Sequence, residues 1–252
     1  MFIKTCYNIN TIKKGANYEK INKCRGGGNL TAPNRGFTLA EVLVTLGIIG
    51  VVSAMTVPTL MQNYQRKSYV TQLHKVYNDL NQALLQYQTD KNALNLKEAG
   101  LTTNEACGEF FKKYFKIVQD CGDNQTPCFA DSYKKISGVR SDFNCRKNCV
   151  VLASGAALEM YSGAYPFDAG NVIRISVDIN GAQGPNVFGR DAFTLFLYPN
   201  GIIDDLVSDK SLLPPFTKDI RETEYATCMS TNSGGYHGCF GKILNDNWEM
   251  NY

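Results

Sequence analysis

Arg35-Gly36-Phe37-Thr38-Leu39-Ala40-Glu41 opens an apolar run that reaches Val42-Leu43-Val44-Thr45-Leu46-Gly47-Ile48-Ile49-Gly50 and ends near Leu60. From Phe37 to Leu60 there are 24 residues, and Glu41 is the only charge among them. A membrane span needs about 20 apolar residues, so the length and polarity predict a spanning helix over 37–60. A carboxylate buried in lipid costs at least ~2.5–3.5 kcal/mol, which makes an intramembrane acid a functional feature by default. The partner that relieves Glu41 is expected to be another polypeptide.

Working outward, residues 1–36 hold Lys4, Lys13, Lys14, Lys20, Lys23, Arg25 and Arg35 against Glu19 alone. The positive-inside bias keeps such a tract cytoplasmic and sends the remainder outward. Gly26-Gly27-Gly28 and Pro33 oppose regular structure there. The whole chain carries a formal +3, so removing this net +6 tract leaves residues 37–252 at −3. The basicity is an address and gives no support for nucleic-acid binding.

The segment Gly36-Phe37-Thr38-Leu39-Ala40-Glu41 and the apolar run behind it resemble the start of type IV pilins and type II secretion pseudopilins. Counting Phe37 as the first mature residue, Glu41 is fifth and Pro58 twenty-second, positions that the family uses. The resemblance covers about a quarter of the chain. It implies cleavage after Gly36 by a prepilin peptidase, N-methylation of Phe37, and assembly into a type IV pilus or a secretion pseudopilus. It also implies as partners fellow subunits, an inner-membrane platform protein and an assembly ATPase. The globular part would lie outside the cytoplasmic membrane. A rival of another class is a membrane-anchored extracytoplasmic binding domain that never polymerises.

Glu41 has a physical rationale in such an assembly. The amine freed at Phe37 stays cationic even when mono-methylated, and a carboxylate on a neighbouring subunit can pair with it.

Beyond Pro58 the apolar positions Tyr64, Val70, Leu73, Val76, Tyr77, Leu80, Leu84 and Tyr87 recur every three to four residues, the stripe of an amphipathic helix over 61–93. A helix from Phe37 to about Asn92 would measure ~84 Å at ~1.5 Å per residue. Pro58 predicts a kink or local melting near Ala54–Pro58, and Gly47 and Gly50 permit close helix approach.

Residues 94–252 read as one β-rich domain, so the fold class is α+β: a long N-terminal helix packed on an antiparallel sheet with disulfides. Strands are expected over Val150–Ala153 and Ala156–Tyr161 around Ser154-Gly155, over Asn171–Ile179, and over Phe193–Tyr198 and Ile202–Leu206 around Pro199-Asn200-Gly201. Phe110-Phe111-Lys112-Lys113-Tyr114-Phe115 predicts a short helix with one aromatic face. Lys242–Trp248 carries about one helical turn's pattern, with Trp248 as a core anchor.

Seven cysteines lie on the outward side, a density that favours disulfides over metal thiolates. Cys145-x-x-x-Cys149 lacks a second close pair at zinc spacing. Pairing close in sequence joins Cys121 with Cys128 and Cys228 with Cys239, the second stapling a C-terminal loop as pilins often do. The other thiols stay open.

Asp178, Asn180, Asn186 and Asp191 gather oxygens on one Gly-rich loop, the donor type calcium takes. Some pseudopilins hold calcium in a loop near the sheet, although the order here is not that of an EF-hand. The alternative is a hydrogen-bonded turn between strands. No catalytic residue is expected: the histidines are His74 and His237, and the His237/Cys239 proximity lacks an orienting partner.

Overall fold

A computed structural model describes residues 36–167 and 170–252. The expected leader, apart from Gly36, lies outside the described residues. The chain divides into two units, Met1–Val52 and Ser53–Tyr252.

In the first unit the described residues from Leu39 onward belong to helix α1 (Leu39–Asp90), and all are exposed. This is the one helix among the described residues long and apolar enough to cross a membrane. Helix assignment runs unbroken through Pro58, so the expected melting near Ala54–Pro58 does not occur. A single proline removes one N–H, and the bonds on either side carry the helix past it.

In the second unit the same helix presents Val70, Leu73, Val76, Leu80, Ala83, Leu84 and Tyr87 to the core. Each large member contributes about 1.5–3 kcal/mol by leaving water. The buried stripe starts at Val70, because Tyr64 stands exposed ahead of the first residue that the sheet covers.

The remaining elements are α2 (Asn104–Tyr114), β1 (Ile117–Gly122), β2 (Lys134–Lys135), β3 (Cys149–Leu152), β4 (Ala157–Phe167), β5 (Gly170–Asp178), β6 (Val187–Phe188), β7 (Ala192–Leu197), β8 (Ile203–Asp204), α3 (Lys218–Met229) and α4 (Cys239–Asn245). They form one sheet in the order β1-β3-β4-β5-β7-β6-β2, with β8 paired to β7. The long pairings are antiparallel, β4 running against β5 from Ala157↔Asp178 to Phe167↔Gly170. The edge at β6 is parallel on both sides, which makes the sheet mixed. The contact between β6 and β7 is a single pair, Phe188↔Ala192, set by the tight turn in which Gly189 N donates to Ala192 O at 2.8 Å.

One sheet face meets the α1 stripe through Leu158, Met160, Ile173, Ile175, Val177, Phe193 and Leu195. Phe110 and Phe111 of α2 join the same core. Thr103 starts that helix by accepting Ala106 N, and Tyr87 Oη donates to Ala99 O at 2.9 Å, tying the intervening loop to α1. The opposite face is buried too, though it carries Glu159, Arg174, Ser176 and Thr194. Simple alternation along β5 therefore marks two covered faces, one apolar and one polar.

Candidate functional site

The sequence-marked site begins where α1 begins. Thr38 N donates to Glu41 Oε2 at 2.8 Å, and the Thr38 hydroxyl donates to the same oxygen at 2.9 Å. Glu41 N in turn donates to Thr38 Oγ1 at 3.2 Å. This is a capping box, in which an N-cap threonine and a glutamate three residues on satisfy each other's otherwise orphaned backbone donors. Glu41 therefore does two jobs in one place: it closes the helix start, and it keeps a carboxylate one turn from Phe37.

Among the described residues, nothing demands the glycines around it. A Cβ built at Gly36, Gly47 or Gly50 meets no atom within 4 Å. In a helix interior each glycine costs about 1 kcal/mol relative to alanine, so the two helical glycines are a cost that this chain alone does not recover. The apolar side chains beside them are open as well, with Phe37 87% exposed and Leu46, Ile48 and Ile49 each 60% exposed.

The globular unit has three disulfides, Cys121–Cys128, Cys145–Cys149 and Cys228–Cys239. Cys107 is left as a buried thiol, and burial pushes its pKa up to about 12, which keeps it unreactive. Cys239 is bonded to Cys228, so it offers no thiolate beside His237.

The Cys228–Cys239 loop is held from inside by a residue that the sequence did not mark. Lys135 is 1% exposed, and its three N–H donors are shared among Thr227 O, Ser230 Oγ, Asn232 O, Gly234 O and Gly235 O, all 2.8–3.3 Å from Nζ. Desolvation lowers its pKa. From the other side Asp205 accepts Gly238 N at 2.8 Å and Gly241 N at 2.6 Å, capping α4. Gly238 is required there: its φ is +94°, and a Cβ would meet Glu224 O at 2.3 Å.

Beneath this loop Arg174 and Glu159 form a buried ion pair, 2% and 0% exposed at their side chains. Arg174 also donates to Tyr236 Oη at 2.9 Å, and Ser176 Oγ donates to Glu159 at 2.7 Å. A charged residue at an inward strand position was the available signal, at Glu159 and Arg174.

The four oxygen-bearing residues between β5 and β7 sit in one turn system. Asp178 accepts Tyr133 Oη at 2.6 Å and Asn180 N at 3.2 Å. Asp191 accepts Asn186 N and Val187 N, each at 2.7 Å. Every carboxylate oxygen thus has a donor, as in the hydrogen-bonded turn alternative. One feature leaves room for a cation: the amide oxygens of Asn180 and Asn186 are buried without a partner among the described residues. Burial pushes Asp178 up to about 7, toward the neutral acid.

Against known proteins, residues 32–57 match the prokaryotic N-terminal methylation motif. The chain is also similar to prepilin peptidase-dependent protein D of Escherichia coli (strain K12), 39% identical over 69 residues. That match covers 27% of this chain and 42% of the relative, so under half of the relative's length is spanned. No solved structure matches the chain.

Proposed function

From the methylation motif at the head of α1, we propose that this chain is a prepilin-like structural subunit. It is cut after Gly36, N-methylated at Phe37, and assembled through α1 into a type II secretion pseudopilus or a type IV pilus. The observation that carries the reading is the pairing of Gly36-Phe37-Thr38-Leu39-Ala40-Glu41 with an exposed apolar helix whose glycines meet no packing demand among the described residues. Such a helix buries its surface against copies of itself, and Gly47 and Gly50 allow close approach.

The role is structural, not catalytic. Its partners are a prepilin peptidase, fellow subunits, an inner-membrane platform protein and a motor ATPase, and the globular unit is extracytoplasmic. Intact mass and N-terminal sequencing, with and without a co-expressed prepilin peptidase, test the reading. A new N-terminus at methylated Phe37 is expected. An uncut chain beside a processed control would favour the anchored binding domain.

Calcium at Asp178, Asn180, Asn186 and Asp191 is a second proposal, supported by the two orphaned amide oxygens. Titration of calcium into the micelle-bound full chain should raise its melting temperature. No calcium-linked stabilisation ends this part.

A further inference from the structure

α1 leaves its apolar run near Leu60, and the next charges are Arg66 and Lys67. No carboxylate occurs between Glu41 and Asp79, while Lys75 adds a third cation. At ~1.5 Å per residue Arg66 lies ~9 Å along the helix from Leu60. The headgroup layer extends roughly 5–8 Å beyond the hydrocarbon on each side, within reach of a long basic side chain. Cations on the outward flank oppose the positive-inside bias, so topology does not ask for them here.

The fold adds another cation to the same place. Arg190, on the turn between β6 and β7, donates to Tyr252 O at 2.9 Å and lies over the Tyr252 ring. Its Nη1 also lies 3.6 Å from Met250 Sδ, and Met250 lines the same groove as Arg66; burial first, and the charge of Arg66 second, push its pKa down. Arg66 and Lys67 make no ion pair among the described residues. They line a groove of about 490 Å³ with Asn63, His74, Trp248 and Glu249. Glu249 is its one carboxylate, so the lining carries two cations against one anion. Tyr64, exposed just below, has the amphipathic ring found at membrane–water boundaries.

We propose that this basic groove seats the phosphate of an anionic phospholipid from the outer leaflet. The inference rests on reading residues 37–60 as a span.

To test it, the full chain is placed in nanodiscs of phosphatidylcholine mixed with phosphatidylglycerol, released into detergent and weighed by native mass spectrometry. Wild type should retain phosphatidylglycerol in preference, and raised salt should strip it. Each basic residue near an anionic surface is worth roughly fivefold in affinity, so Arg66→Gln with Lys67→Gln should lower retention about 25-fold. Lys112→Gln, exposed elsewhere, should change nothing. A double variant that retains the lipid, or a wild type without preference, overturns the proposal while leaving the span intact. Loss of a dimer peak instead of lipid reassigns the groove to a second copy and overturns it too. A chain that fails to enter nanodiscs removes the span reading, and this inference with it.

Discussion

Thr38 and Glu41 satisfy each other at the helix start, so removing Glu41 changes two things at once. Glutamine can keep the capping box but carries no charge, and that separates the roles. Glu41→Ala should be cleaved by prepilin peptidase yet fail to enter sedimentable filaments. Glu41→Gln should fail in the same way if charge pairing with a neighbour's Phe37 amine drives assembly, and its normal assembly would sink that mechanism. Buried titratable groups give a second residue-scale expectation. Burial pushes Asp178 and Asp205 up to about 7 and His237 down to about 4. Between about pH 4 and 7 the folded chain binds more protons at the two aspartates than the unfolded chain, so their contribution to stability falls as pH rises. Folded His237 binds fewer protons between about pH 4 and 6.5, so its contribution rises and offsets part of that fall. Denaturant unfolding across this window should show His237→Gln steepening the decline, and an unchanged slope would remove His237 from the account. Glu159→Gln should cost about 3–5 kcal/mol, because it strands Arg174 in a buried site.

Among elements, the two halves of α1 respond to different changes. Leu73→Ala and Leu80→Ala, at fully buried positions, should each cost about 2–5 kcal/mol in unfolding of the globular unit. Leu46→Ala, 60% exposed, should leave that stability within about 0.5 kcal/mol and lower assembly. The Cys228–Cys239 loop is a second element with its own test. Replacing both cysteines by serine should cost about 2–4 kcal/mol, and Lys135→Met should loosen the same loop with the disulfide intact, seen as faster amide exchange at Gly234 and Gly235. The helix stripe, the hairpins and the short aromatic helix were legible because their spacing follows backbone geometry. Helix α3 had a start signal, Thr217 after Pro214-Pro215 with Asp219 in its first turn, but its weak apolar pattern hid it. β2 and β6 are two residues each, too short for any period to register. The Lys135 cage was not legible, because its acceptors are mostly backbone carbonyls about a hundred residues away.

For the whole molecule, the site marked most strongly in sequence is the one that the fold itself explains least. A Cβ at Gly36, Gly47 or Gly50 would meet no atom of the described residues within 4 Å, and the apolar surface beside them is open. On the proposed reading such residues answer to other molecules, a peptidase, a bilayer or copies of the chain, which is why an order-dependent motif reveals them and packing does not. The groove at residues 63–74 shows the converse: its charges were plain in sequence, but their convergence with Arg190 and Trp248 needed the fold. The chain has one tryptophan, and its ring stacks on His74 with centroids 4.0 Å apart and planes 16° from parallel. All indole emission therefore comes from one site, the seam between the C-terminal tail and α1. The protein carries its own optical gauge of tail docking, readable without a label.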